Sequence, residues 1–345
     1  MLLSICIATR NRKDFLLETI RCILDQISND VEIIIVDGAS TDGSKEKIES
    51  LRAPNNKIKY FYEEVNSGVD RDFDKAIEYA SGKYCWLFSD DDLLEKNSIS
   101  TIKNLLKENH DLLVINSSIH TKFFEKILCS NILNSKKDIL YNNDGEKVFH
   151  DLASYLSFIG AIIVKREFWM KRSRKAHHGS AFAHIGVLFQ DPLPKKVFYL
   201  SEPLIKIRYG NSEWAPRGFK IWFNQWPKQI MKLNNLPYEL RKKIANNGIN
   251  GAIKFCILYR AMSLYDYDTF IKFVNGKFNR VINIIFLIIS ITPIKMLNLF
   301  LILGLLFNNS SLVNIYRLSN SNGASKLSLW AANKFRLNKE IYKNE

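Results

Sequence analysis

Tyr84-Cys85-Trp86-Leu87-Phe88-Ser89-Asp90-Asp91-Asp92 is the stretch on which the fold turns. Its five apolar or aromatic residues are too few for a helix of their own, follow Ser81-Gly82, and read as a buried strand. The end of that strand carries three carboxylates in a row. Adjacent carboxylates repel, so a site that holds them together usually supplies a cation, and hard divalent ions are the usual partners of clustered carboxylate oxygens. Asp90 and Asp92, one residue apart, reach a single ion if the turn is tight. The alternative is capping: Asp92 suits the start of a helical segment near Leu93.

Outward from this strand the chain alternates. Leu2 to Ala8 reads as a buried strand ended by Thr9-Arg10-Asn11, and Phe15, Leu16, Thr19, Ile20, Ile23, Leu24 and Ile27 follow at helical spacing. Val31 to Val36 is a second apolar run, stopped by Asp37-Gly38-Ala39-Ser40-Thr41-Asp42-Gly43, with a short helix to Leu51. Lys57 to Tyr62 reads as a strand, Asp72 to Tyr79 as a helix, Asn97 to Lys107 as a helix and Leu112 to Asn116 as a strand. Such alternation predicts an α/β fold, a Rossmann-like and mostly parallel sheet flanked by helices, with ligands at the carboxyl ends of the strands. Asp37, Asn66 and Asp90 to Asp92 all fall at such ends.

The 345 residues suffice for one large domain or two ordinary ones. The net charge of +14 is uneven: residues 1–150 hold 20 Lys/Arg against 25 Asp/Glu, and residues 151–345 hold 29 against 10. A basic second part points to a polyanionic partner, nucleic acid or an anionic membrane face. Cysteines at 6, 22, 85, 129 and 256 form no CxxC pair and read as buried thiols of a reducing compartment. Met1 to Ile5 is followed at once by Arg10, Arg12 and Lys13, which is not a signal-peptide layout, so a cytoplasmic catalytic part is expected.

Four motifs in order now carry a resemblance: Ser4 to Arg12, Ile34 to Gly43, Gly68 to Lys75, and the Asp90 to Asp92 triplet. Together they resemble the signature of family-2 glycosyltransferases of the GT-A fold. The wording Ser67-Gly68-Val69-Asp70-Arg71-Asp72-Phe73-Asp74-Lys75-Ala76, with Trp86 to Leu94, is most similar to abequosyltransferase-like enzymes, which attach 3,6-dideoxyhexoses to a lipid-linked O-antigen unit. The resemblance implies an inverting, metal-dependent transfer from a nucleotide diphosphosugar. Mg2+ or Mn2+ on Asp90 and Asp92 would neutralise the leaving diphosphate. Donor-side residues would be Ala8, Thr9, Arg12, Asp37, Asn66, Arg71, Asp90 and Asp91, with Asp91 toward ribose or sugar and Arg71 on the diphosphate. The plainer readings are a strand-end hydroxyl for Thr9, an Asp-Gly turn for Asp37, and a solvated helix start for the charges around Arg71.

The reaction needs a base for the acceptor hydroxyl. The family generally places an Asp late in the domain, at a helix start, and this chain departs from that: Gly179 to Phe189 has no carboxylate before Asp191. His184 is the substitute, as base or as a metal ligand beside Asp92, against the reading of a hydrogen-bonded core residue. Asp191 and His178 stand in reserve. Val197 to Leu200 and Leu204 to Tyr209 read as a hairpin-like pair of strands. Arg208 and Trp214 are the acceptor-side candidates, whereas Phe219, Trp222, Phe223 and Trp226 share a helix face and read as core.

From Val281 to Phe307 the chain is very apolar but is interrupted by Asn283, Pro293, Lys295 and Asn298, short of the ~20 clean residues a spanning helix needs. Two amphipathic or re-entrant segments on a membrane surface fit, flanked by Lys272, Lys277 and Arg280; a helical pair packed on the protein and a tilted transmembrane hairpin are the alternatives. The expected organisation is a GT-A domain over 1–215 and a helical, membrane-associating extension over 216–345, with apolar segments at 281–307. Expected partners are a nucleotide sugar, a polyprenyl-diphosphate-linked oligosaccharide and anionic lipid, not nucleic acid, at the cytoplasmic face of a bacterial inner membrane, peripheral or monotopic. A nucleotidyltransferase is the rival enzyme class, but Ala8 to Lys13 lacks the glycines of a triphosphate loop. A non-catalytic basic protein binding membrane or nucleic acid is the other rival.

Overall fold

Three parallel strands form the middle of the sheet because each is mostly apolar and buried on both faces, as strands covered by helices on either side must be, with Ser4, Thr9, Glu32 and Asp37 as the buried polar exceptions. They are β1 (Leu3–Thr9), β2 (Val31–Asp37) and β4 (Tyr84–Phe88). In this computed structural model, which describes residues 1–53, 55–211, 217–245, 248–307 and 311–337, β1 pairs with β2 on one side and β4 on the other. β3 (Ile58–Tyr62) extends the parallel set beyond β2. Helices α1 (Lys13–Leu24), α2 (Ser44–Arg52) and α3 (Val69–Tyr79) connect these strands. The expected alternation is present.

The sheet then changes direction. β9 (Ile162–Lys165) runs antiparallel to β4, and β6 (Leu112–His120) runs antiparallel to β9. The order is β3-β2-β1-β4-β9-β6-β10-β5. Within it are the two-residue β5 (Leu93–Leu94) and the long β10 (Lys196–Arg208), with β7 (Ile127–Cys129) and β8 (Ile139–Asn142) at the sides. The hairpin expected over 197–209 is instead the single strand β10. Its first part pairs with β8 and Ile205–Lys206 pairs with β5, so the polar break at Ser201–Glu202–Pro203 marks a change of partner rather than a turn. Helices α4 (Ser98–Leu106), α5 (Gly145–Leu152), α6 (Arg166–Met170) and α7 (Ala183–Phe189) complete this part. Its core runs from Leu3, Ile5 and Ile7 through Ile33 and Ile35 to Trp86 and Phe88, and Trp86 Nε1 donates to the Gly160 carbonyl at 2.8 Å.

The chain divides into two compact units. The first comprises residues 1–118, 131–207 and 229–244; the second comprises 119–130, 208–228 and 245–345. Between β10 and the last helices lie α8 (Gly218–Lys220), a π-helical turn Ile221–Gln225, α9 (Trp226–Met231) and α10 (Tyr238–Ala245). Besides β7 and the end of β6, the second unit contains the helices α11 (Gly248–Ala261), α12 (Tyr267–Phe273), α13 (Arg280–Ile291), α14 (Ile294–Phe307), α15 (Leu312–Ser319) and α16 (Lys326–Lys334). Phe219 and Tyr265 stack at its centre with ring centroids 4.8 Å apart, so the expected core role of Phe219 holds, while Trp222 is 38% exposed.

α13 and α14 are bent by 100° at Thr292-Pro293, and among the described residues no single helix is long and apolar enough to cross a membrane. Asn298, one of the residues that interrupt the apolar run, points inward. Its amide donates to the carbonyls of Ala261 and Leu318, both at 3.2 Å, and its Oδ1 accepts from the Ser325 amide. Val281, Ile284, Ile285, Ile288 and Ile291, at helical spacing, are instead exposed. α13 and α14 therefore hold a polar anchor inside and an apolar stripe outside.

Candidate active site

The carboxylate triplet sits where the parallel strands end. Asp90 is buried, and its two oxygens are each taken: Oδ2 by the Thr9 hydroxyl at 2.8 Å and Oδ1 by Arg12 Nε at 2.9 Å. The second arm of the Arg12 guanidinium reaches Asp91, which also accepts from the Ser89 hydroxyl. Thr9 ends β1 and Arg12 follows it by three residues, so the neighbouring strand ends supply what the triplet needs. Burial and the charge of Asp91 raise the Asp90 carboxyl above the usual range, against the pull of Arg12 and Thr9. Asp92 is 2% exposed, and its backbone carbonyl accepts from the Thr19 hydroxyl at 2.9 Å. It does not cap a helix: Leu93–Leu94 is a strand paired with β10, and Asn97 precedes α4.

Three hard carboxylates in one turn, of which Arg12 pairs with two, form a donor set suited to a magnesium-like cation. Among the described residues no three His, Cys, Asp or Glu side chains converge to complete a metal shell. An ion there would be held by one or two carboxylates, with water and phosphate completing its shell.

Asp37, at the end of β2, is fully buried. Its Oδ1 accepts from the Ser40 amide and its Oδ2 from the Tyr60 hydroxyl, both at 2.7 Å, which fastens the loop after β2. Ala8 is paired in register with Val36, 8% exposed. Asn66 is exposed and its side-chain oxygen accepts from the Gly68 amide at 3.0 Å; Arg71, in the first turn of α3, is exposed. In the same turn the buried Asp72 accepts from Ser67 and leans over Gly38, where a Cβ would stand 2.8 Å from its Oδ2. Gly38 thus permits the close approach of α3 to the end of β2. No sequence pattern marks Ser40 or Tyr60 as partners of Asp37, or Asp72 as a buried group.

The residues expected on the acceptor side are more dispersed. His184, in the first turn of α7, is 4% exposed and its Nε2 donates to the Leu156 carbonyl at 3.0 Å. Burial pushes its pKa down to about 4, the Leu156 bond opposing that shift only in part, so the imidazole stays neutral at pH 7. The core alternative for His184 is the one this geometry resembles. Asp191 follows α7 at the far end of the sheet. Four and five residues on, the amides of Lys195 and Lys196 donate to Asp111, just before β6, and the Asp111 carbonyl accepts from Lys165, the partner of Tyr84 at the amino end of β4. Asp90 stands at the other end of β4. Arg208 belongs to the second unit, where it donates to the Lys122 carbonyl at 2.5 Å and its guanidinium lies 4.3 Å from the centre of the Phe124 ring. Trp214 lies outside the described residues.

Comparison with known proteins accords with this geometry. Residues 4–158 match the family described as Glycosyl transferase family 2. Abequosyltransferase RfbV of Salmonella typhimurium is 30% identical over 240 residues, which cover 63% of this chain and 70% of that protein. A second relative is the GalNAc(5)-diNAcBac-PP-undecaprenol beta-1,3-glucosyltransferase of Campylobacter jejuni. It is 30% identical over 109 residues, 31% of this chain and 35% of its own length. Among solved structures, S. aureus TarS 1-349 in complex with UDP-GlcNAc superposes with a TM-score of 0.56 at 14% identity, covering 93% of this chain and 89% of that 1-349 chain. That likeness carries the GT-A fold. With the triplet at the end of β4 and its partners on β1, the chain belongs to glycosyl transferase family 2 and is a glycosyltransferase.

Proposed function

We propose that the chain transfers a sugar, with inversion at the anomeric carbon, from a nucleotide diphosphosugar to a polyprenyl-diphosphate-linked oligosaccharide. The product would enter an O-antigen or similar surface polysaccharide, and the donor class includes CDP-3,6-dideoxyhexoses. The observation that carries the reading is the buried Asp90, gripped by Thr9 and Arg12 at the ends of adjacent parallel strands. Asp90 and Asp92 would hold Mg2+ or Mn2+, which when bound neutralises charge developing on the departing diphosphate. Arg12 keeps Asp90 and Asp91 side by side, and Thr9 fixes the orientation of Asp90. Ala8, Asp37 and Asn66 border the space for base and ribose, with Arg71 exposed to meet a phosphate bidentately. Arg208 and Trp214 are kept as acceptor-side candidates.

Residues 1–215 are proposed to perform the transfer and residues 216–345 to hold the enzyme on the cytoplasmic face of the inner membrane as a peripheral or monotopic protein. Support comes from the exposed stripe of α13, from Phe300 and Phe307 on α14 at 60% and 85% exposure, and from the basic character of residues 151–345. The names of the two relatives, which act on abequose and on an undecaprenyl-linked saccharide, support the donor and acceptor classes.

The test is to incubate the full chain and Mn2+ with a panel of CDP-, UDP-, GDP- and dTDP-sugars and undecaprenyl-diphosphate-linked oligosaccharide, and to follow donor and lipid by mass spectrometry. The expected result is consumption of one donor with a matching mass gain on the lipid. Donor consumption that leaves the lipid unchanged, or no consumption across the panel, would contradict the reading.

A further inference from the structure

Asp70 is the unassigned carboxylate at the edge that carries Asp90. Helix α3 runs from that edge to the opposite one. Its first turn touches Gly38 at the end of β2 through Asp72, and near its other end the carbonyls of Ile77 and Glu78 accept from Arg166, whose amide bonds to Lys83 before β4. Asp70 and Asp72 are two residues apart, about 200° around the helix at 3.6 residues per turn, so they face opposite ways. Asp72 faces β2, and Asp70 faces the start of α7. There Asp70 Oδ2 accepts from the Ala181 amide at 3.0 Å and Oδ1 from the Ala183 amide at 3.3 Å. Those amides belong to a tight loop in which Gly179 has φ +81 and Ala181 φ +63, a conformation L side chains rarely adopt. The strained loop and the carboxylate hold one another in place.

Asp72 accepts from Ser67 against Gly38, and three other carboxylates near Asp70 are differently occupied. Asp37 is bonded at both oxygens and Asp90 is paired with Arg12. Asp74, one turn beyond Asp70, accepts from Trp169, Arg174 and His178. Among the described residues Asp70 is half-buried, oriented by backbone amides, and makes no ion pair. A carboxylate offers about four lone-pair sites, so those amides orient it without exhausting it.

We propose that Asp70 is the general base for the acceptor hydroxyl. The assignment rests on the sugar-transfer reading of this site. The acceptor O–H bond breaks and its proton passes to an Asp70 oxygen. The acceptor oxygen bonds the anomeric carbon, and the bond from that carbon to the diphosphate oxygen breaks, its electron pair leaving with the diphosphate. Burial raises the Asp70 carboxyl above the usual range, opposed by the amides of Ala183, Ala181 and Gly179 and by His178, which moves it toward the basicity such a step uses. The charged side chain that acts on Asp70 is His178 from the loop, itself bonded to Asp74 through Nε2.

The experiment uses the full chain with CDP-abequose, Mn2+ and undecaprenyl-diphosphate-linked oligosaccharide, with calorimetry of CDP binding alongside. Asp70→Asn retains an oxygen for one loop amide. It is expected to lower kcat by about 10²–10³-fold, leave the CDP Kd within about twofold, and abolish the acid limb of the kcat/KM profile; Asp70→Glu recovers part of the rate. Three results overturn the assignment: kcat of Asp70→Asn within fivefold of wild type; loss of CDP binding in step with activity, which marks a structural anchor; or disappearance of the acid limb in His178→Asn instead. A wild-type chain that transfers from neither CDP-abequose nor any donor of the panel above overturns the transfer reading itself and this assignment with it, a failure visible before any substitution is made.

Discussion

The two units of this chain place their costly residues in opposite ways. The first buries charge: Glu32, Asp37, Asp72, Asp74, Asp90 and Asp92 are all inside. The second exposes apolar surface: Val281, Ile288, Ile291, Phe300 and Phe307 are each at least 55% exposed, although α13 and α14 also contain inward positions such as Phe286 and Ile302. A buried charge costs several kcal/mol unless it is paired and hydrogen-bonded, and an exposed apolar stripe forgoes about 25 cal/mol for each Å² left in water. Neither choice favours folding. In the first unit local partners offset the buried charges, and on the reading proposed above a cationic ligand at Asp90 and Asp92 would add to them; the same reading gives the exposed stripe of the second unit to lipid.

If the first unit's charges are tolerated only through local partners, removing a partner costs more than removing the charge. Arg12→Ala leaves Asp90 and Asp91 without their shared cation and is expected to destabilise the protein by about 3 kcal/mol, read from urea midpoints at pH 8. Adding Asp90→Asn should return part of that loss. A double variant no more stable than Arg12→Ala would break the comparison on this side.

Glu32 tests the same idea with pH. Burial raises its carboxyl, but bonds from Lys59, Ser4 and Ser81 outweigh this and hold it at about 2. A depressed carboxyl contributes stability that is fully present above its unfolded pKa near 4.5 and is lost as pH falls toward 2. Wild type should therefore lose about 2 kcal/mol more than Glu32→Gln between pH 5 and pH 2. Equal slopes for the two proteins would show that Glu32 is not compensated as described.

The second unit makes the complementary prediction. Ile288→Asp with Phe300→Asp should leave the melting temperature within about 2 °C, because both side chains are already in water. Partitioning onto vesicles containing anionic lipid should fall at least about tenfold. Unchanged partitioning would remove lipid as the reason for the exposed stripe.

The strands and the triplet were legible in the sequence because continuous apolar runs ended by Gly, Asp and Ser mark buried parallel strands wherever they occur. What was not legible depends on partners distant in the chain. Asp70 and Asp74 looked like a charged helix start, since a charge run reads the same whether it faces water or a loop 111 residues away. His184 gave no clue to its burial, because one histidine letter serves for a base, a ligand or a core bond to Leu156. Residues 201–203 suggested a turn, because a change of strand partner and a reversal of the chain both interrupt an apolar run with polar residues. Asn298 interrupted an apolar segment for a reason visible only once Ala261, Leu318 and Ser325 lie around it.

The most direct measurement of the central claim is made on Asp90→Asn/Asp92→Asn, following sugar transfer and vesicle binding in one preparation. With the diphosphate cation lost, transfer should drop at least about 10³-fold, while vesicle binding through the second unit stays at the wild-type level. Transfer that survives the double substitution within tenfold would contradict the assignment of the triplet and the mechanism built on it.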